Sequence, residues 1–363
     1  MHKFNRHVTS IRNTYSYARR KIIVLIALVI FLLTNLALAE DLGVIKPYLI
    51  LGGTQGSMIE QFNEPDAVAF TGDGRLLAGD TQNGRFKIYS ISEHSLSIIT
   101  IGEPGRGDCQ FDNSLAAVLP NGRKIYNEVQ GIVCNSKDEI LVVDQGNRRI
   151  QVFDTNGTCL KERTINLAAI LVKPDSANGT TYTSIQGIAV DELDNIYLTD
   201  TGTRRVYKFQ KNGRQDMRFK FQAKDENGYI LNDPESLVIF GKNLLVADEG
   251  HRIIKVYEKN SGKFTGQTIG HPDLFGRDVE GLAIYQDKLF ALNEELGQVV
   301  IFDLTKENRP VIGFFGEKGL TPGRFLSPDG LAVSRDGRYL AIADQGNFRI
   351  QIFELQNILN LLK

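Results

Sequence analysis

The sequence has no tryptophan, three cysteines, three methionines and five histidines in 363 residues. Each shortage excludes something. Only His94, His251 and His271 follow residue 39, and they share no metal-ligand spacing. A zinc site and a Ser-His-Asp triad are therefore not expected. The cysteines form no C-x-x-C pair, and the chain contains no G-x-S-x-G elbow, P-loop or EF-hand loop. Negative charge is missing from the first 39 residues, which carry six Lys and Arg and no Asp or Glu. The other 36 basic residues face all 43 acidic ones, a net of −7. A mildly acidic body argues against nucleic acid as a partner.

Long apolar runs are scarce too. The one near the start, Ile22 to Leu33, follows Arg19-Arg20-Lys21 and precedes Ala37-Leu38-Ala39, an A-x-A cleavage pattern. Residues 1–39 therefore read as a signal peptide, with an uncleaved signal anchor as the alternative. In both readings the positive flank stays inside and the rest is exported. The expected location is secreted, periplasmic or cell-envelope, with membrane contact only through an uncleaved N-terminal segment.

Glycine is abundant, at 35 residues, and most of it falls in turns of a repeated sentence. Its clearest copy is PDGLAVSRDGRYLAIADQGNFRIQIF, Pro328 to Phe353. Three short apolar stretches are separated by Arg335-Asp336-Gly337-Arg338 and by Asp344-Gln345-Gly346-Asn347. Apolar alternation between Gly-rich turns gives three strands. Six copies align on Asp66, Gln130, Gln186, Glu235, Glu280 and Asp329. A unit that cannot bury both faces alone stacks radially, so the expected fold is all-β, a six-bladed β-propeller of four-stranded blades over residues 40–354. SIITIG, TGQTIG and VIGFFG supply outer strands. KPYLILGG, Lys46 to Gly53, has no blade before it and should close the last blade against Arg349 to Phe353. Longer spacings imply insertions near Glu103 to Lys124 and near Ala168 to Thr183. Residues 355–363 form a C-terminal tail of a helical turn or two. Export permits a disulfide, expected between Cys109 and Cys159, with Cys134 a buried thiol.

Two polar rings follow from the alignment. The six aligning residues begin the inner strands and converge on the channel mouth. Four carboxylates there repel one another, and a hard cation would relieve this. The alternative is a channel of solvated polar groups bonded to the backbone. The second ring ends the second strands: Asp80, Asp144, Asp200, Asp248, Asn293 and Asp344. Four or five residues later come Arg85, Arg149, Arg205, Arg252, Gln298 and Arg349. Blade five loses both members together, so the Asp and Arg are read as structural pairs across each turn. Asp278 and Glu280 stand two apart on one strand, and Glu249 follows Asp248, making this quarter the most acidic.

The D-x-G-N-x-R-I-Q-V-F and G-x-x-G-x-x-P-G-R-F patterns resemble the NHL-repeat family of six-bladed propellers. PESLVI with LLVADEG, RDVEGLAIY and SPDGLAV resemble the secreted β-propeller phytases, calcium-dependent phosphatases. That resemblance implies calcium as cofactor, with Asp66, Glu235, Asp278, Glu280 and Asp329 as ligands. It implies Glu249 and Glu280 as catalytic residues and a phosphorylated small molecule as substrate. The family holds phosphate with lysines at early-blade turns. Here those turns read Thr81-Gln82 and Asp200-Thr201-Gly202, and Arg148 would contact phosphate instead. The expected function is an exported calcium-dependent phosphoester hydrolase. The alternatives are a non-enzymatic NHL scaffold recognising an envelope protein or glycan, and a metal-dependent lactonase.

Overall fold

The computed structural model describes residues 39–92, 95–118, 124–126, 129–168 and 184–362. Six small antiparallel sheets stand in a ring, as the repeats require. Blade 1 runs Val68–Phe70, Leu76–Asp80, Arg85–Ile91 and Leu96–Ile101. Blade 2 runs Val129–Cys134, Ile140–Asp144, Arg149–Phe153 and Ile165–Asn166. Blade 3 has Ile185–Val190, Ile196–Asp200 and Arg205–Phe209. Blade 4 has Pro234–Phe240, Asn243–Asp248, Ile253–Glu258 and Phe264–Ile269. Blade 5 has Val279–Tyr285, Lys288–Asn293, Gln298–Asp303 and Val311–Phe315. Blade 6 has Pro328–Val333, Tyr339–Asp344 and Arg349–Glu354, and takes Leu49–Gly52 as its outer strand.

That last pairing closes the ring. Leu49 pairs with Ile352 and Gly52 with Arg349, antiparallel, so the edge of the last blade is covered. The chain start does more than the sequence implied. Glu40–Asp41 also lies parallel on the outer strand of blade 5, opposite Gly313 and Phe314. The tail forms the helix Leu355–Leu361, whose Leu355 and Ile358 are buried between blades 5 and 6. Among the described residues no helix is long and apolar enough to cross a membrane. The expected export segment lies outside the described residues except for Ala39.

Each junction between neighbouring blades has its own apolar cluster. Without tryptophan, phenylalanine fills the wedges. Phe86, Phe111 and Phe153 pack at 5.1–6.2 Å between blades 1 and 2. Phe315, Phe325 and Phe353 repeat the arrangement between blades 5 and 6. Edge-to-face and offset rings add to the plain burial of their area.

Blade 3 departs from the four-strand expectation, because the chain after Phe209 crosses to blade 4. Lys220 and Gln222 donate from their backbones to Ser261 and Gly262, and Phe221 packs on Tyr257 at 4.8 Å. On the way the chain forms a separate hairpin, Lys224–Asp225 with Gly228–Tyr229. The first expected insertion contains a hairpin, Leu115–Val118 with Lys124–Tyr126. The second lies mostly outside the described residues. Cys109 and Cys159 form the expected disulfide, with Cα atoms 5.9 Å apart. Cys134 is free but only half-buried, because it lines the channel.

The turn pairs are structural in three blades. Arg85, Arg149 and Arg349 reach Asp80, Asp144 and Asp344 at 2.6–2.7 Å. Each guanidinium also donates to carbonyls of the preceding G-x-x-G loop, Arg349 to Leu320, Thr321 and Arg324. Two expected pairs do not form. In blade 3, Thr203 donates to Asp200 at 2.8 Å and itself meets Tyr207, so Arg205 is not needed. In blade 4, Arg252 sits one residue early, in the left-handed turn position with φ 56, and donates to the Gly276 carbonyl. Ile253 takes the cross-strand place opposite Asp248, which pairs instead with His251 at 2.8 Å and Lys255 at 2.9 Å.

Candidate metal centre at the channel mouth

The channel wall is made by six inner strands, and five of them carry a bulge at the same place. Register shifts fall between Ile185 and Ile188, Pro234 and Leu237, Val279 and Leu282, and Pro328 and Leu331, and opposite Val142 to Asp144 in blade 2. The bulges contain Gln130, Gln186, Glu235, Glu280 and Asp329. A bulge bends its strand and re-aims a side chain, here into the channel. The residue after it must be small. A Cβ on Gly281 would fall on the Asp329 carbonyl oxygen, and one on Gly330 on that of Asp66. Close approach of neighbouring inner strands is therefore what holds the ring of carboxylates together. The channel encloses about 380 Å³ and all six ring residues line it.

The acids gather on one side. Oxygens of Asp233, Glu235 and Glu249 lie within 4.8 Å of one another. The backbone explains why. The end of the second strand folds back on the start of the first, with Glu249 N–H donating to the Asp233 carbonyl at 3.0 Å. Asp278 stands within hydrogen-bond reach of both Glu249 and Glu294. Glu235, Glu280 and Asp329 repel across the channel. Burial, and then the neighbouring Glu235, Asp329 and Glu249, hold the Glu280 carboxyl well above its usual range. Burial and then Asp233, Glu249 and Asp329 do the same for Glu235. Asp329 is pushed up to about 7 by burial and by Glu294. Glu249 is pushed up to about 8 by burial, Asp233, Asp278 and Glu294. Such carboxyls are short of positive charge.

Asp66 is buried on the same rim, and Gln345 Nε2 donates to its Oδ1 at 2.5 Å. Arg148 is exposed on the blade 2 turn with φ 51, and among the described residues its side chain makes no hydrogen bond or ion pair. The cations that act on the acids are Arg204, on Asp233, and Lys318, on Glu294.

Asp233 and Glu294 were not among the expected ligands. Both occupy positions that recur. Asp233 lies two residues before the ring position, where other blades have Glu64, Ser184, Asp278 and Ser327. Glu294 and Glu249 directly follow the ends of their second strands, where Thr81, Gln145, Thr201 and Gln345 stand elsewhere. Three tiers of side chains, not one ring, face the mouth. Aligning all three would have found both residues.

The donor set is all carboxylate oxygen and fits a hard cation such as calcium, which takes six to eight oxygens. It lacks the nitrogen and sulfur donors favoured by zinc.

No protein-family model matches the chain. Protein brain tumor of Drosophila melanogaster is 26% identical over 161 residues, 44% of this chain and 13% of that protein. The chain thus matches only a small part of that curated relative's length. Among solved structures, a catalytically inactive variant of virginiamycin B lyase from Staphylococcus aureus, with quinupristin, superposes with a TM-score of 0.51. It shares 12% identity and covers 85% of this chain and 89% of that one. The likeness identifies the fold alone, a six-bladed β-propeller.

Proposed function

We propose that the channel mouth holds calcium and that the protein is a calcium-dependent phosphoester hydrolase resembling the β-propeller phytases, working outside the cytoplasm. The observation that carries this reading is the convergence of Glu235, Glu249, Asp278, Glu280 and Asp329, joined by Asp233 and Glu294, on one side of one channel. Uncompensated acids at this density need positive charge, and a phosphate would be repelled without it.

Calcium, when bound, would supply charge neutralisation and polarise a phosphoryl oxygen. The chain's residues do the rest. Glu235, Glu280, Asp329 and Asp278 hold the ion, and Asp233 completes the set. Asp66, tied to Gln345, shapes the same rim beside Asp329. Glu249, half-buried at the mouth, accepts the proton of the attacking water. Arg148, on the blade 2 turn, would contact a distal part of an anionic substrate. The Cys109–Cys159 disulfide supports an oxidising compartment.

The test is phosphate release from inositol hexakisphosphate by the full chain, with calcium and with a chelator. Release only with calcium, abolished by Glu280→Ala, is the expected result. Lactone cleavage without phosphate release would move the same centre to a different hydrolase class. A second reading, a non-enzymatic NHL-type scaffold, is supported by the repeats themselves and by the similarity over 161 residues to Protein brain tumor. It predicts no turnover and a partner lost when the Leu115–Tyr126 hairpin is removed.

A further inference from the structure

Two cations share one aromatic ring on the rim beside the carboxylates. The Arg204 guanidinium lies 5.1 Å from the Tyr229 ring centroid and the Lys224 ammonium 4.0 Å. Among the described residues neither forms an ion pair within 4.0 Å. Their placement is built into the backbone. Lys224 and Tyr229 are direct cross-strand partners in the hairpin that belongs to no blade. The hairpin is closed by Asn227 N–H on Asp225 at 2.7 Å and by Gly228 with φ 116. Arg204 comes from the blade 3 turn, where it adopts φ 53, the conformation that Gly84 and Gly297 take in blades 1 and 5. A side chain there costs roughly 1 kcal/mol that glycine avoids.

A ring face attracts a cation but does not neutralise it. Two positive heads gathered at one ring keep their full charge, and an anion that meets them would offset it. The planar guanidinium offers a fork that matches a phosphate or carboxylate, and the ammonium adds a point charge. We propose that Arg204, Lys224 and Tyr229 form an oxyanion-binding site, separate from the carboxylate centre, that takes a phosphate or carboxylate group of a ligand without calcium. The site is independent of the hydrolase reading, because a scaffold could use it to hold an acidic partner.

Calorimetric titration of the full chain in a calcium chelator tests it, with inorganic phosphate in one arm and succinate in the other. Binding of either anion supports the site, and the arm that binds identifies the group. Arg204→Gln with Lys224→Gln should weaken that binding about tenfold or more, and Tyr229→Leu about threefold. Lys224 is exposed, so Lys224→Gln alone keeps the test usable if the double variant misfolds. No binding of either anion by the natural protein at about 20 mM, a dissociation constant near the weak limit of specific recognition, overturns the proposal. Unchanged affinity in the charge variants overturns it equally. Turnover does not enter, so failure here leaves the calcium reading standing, and the reverse.

Discussion

Cys109 has φ 63 at the place that Gly323 fills with φ 81 in the matching loop of blade 6. The loops are otherwise built alike: each backbone N–H donates to a glutamine, Gln151 or Gln351, at 2.8–2.9 Å. A side chain in this conformation is strained, so cysteine stands there for its bond to Cys159. With the bond removed, glycine should be the better residue. Cys109→Gly with Cys159→Ser should be more stable than Cys109→Ser with Cys159→Ser by about 1 kcal/mol, read by urea unfolding. A second residue-level expectation concerns Gly281. Its Ala variant must displace the Asp329 carbonyl, and calcium affinity should fall at least about tenfold while the ring stays folded, by calorimetry. Asp233 shows why some of the centre was hidden in the sequence. Its φ is 74, directly before a proline, and the side chain's direction comes from that turn and not from strand alternation. A period-two reading places Glu235 and Glu280 but says nothing about a residue outside the strand.

The turn between second and third strands teaches the same lesson one level up. Repetition alone located Asp80, Asp144 and Asp344 with their arginines, because three blades use the same loop carbonyls to grip the fork. The Asp200–Arg205 pair shares their five-residue spacing and Asp248–Arg252 is one residue shorter, yet neighbours decide the outcome. Thr203 with Tyr207 replaces one arginine, and Lys255 with His251 replaces the other. The energetic contrast is testable. Arg349→Gln leaves the buried Asp344 without its cation and should cost about 3 kcal/mol. Arg205→Gln removes no such pair and should change stability by less than about 0.5 kcal/mol. Equal losses in the two variants, by denaturant titration, would show that Arg205 does pair in solution. The missing outer strand of blade 3 was equally illegible. Phe219 and Phe221 have strand-like character, but the apolar junction with Tyr197 and Tyr257 draws them to the next blade.

The whole ring, its closure and the disulfide were legible, because a sixfold repeat and an unpartnered first strand leave few arrangements. Its pH dependence follows from the mouth. Glu235, Glu249, Glu280 and Asp329 all have raised carboxyls, so the folded state binds protons more tightly than the unfolded chain. Their favourable contribution is present below the unfolded carboxyl range near pH 4 and is lost as pH rises through about 7 to 8. In chelator, the melting temperature should fall by roughly 5 °C or more between pH 5 and 8.5, and calcium should restore it. A melting temperature that rises over that interval in chelator would overturn the placement of these acids.

Leu49 meets Ile352 only after the last strand of blade 6 has been made. A polypeptide emerging from the ribosome amino end first holds its earliest strand in waiting while five blades form. The seam is sealed by the last sheet strand, and the amino-terminal stretch is then gripped twice, on blades 5 and 6. Until that moment there is no closed ring to pull apart. Once that strand is in place, blade 6 offers no free edge from which the ring could be peeled open.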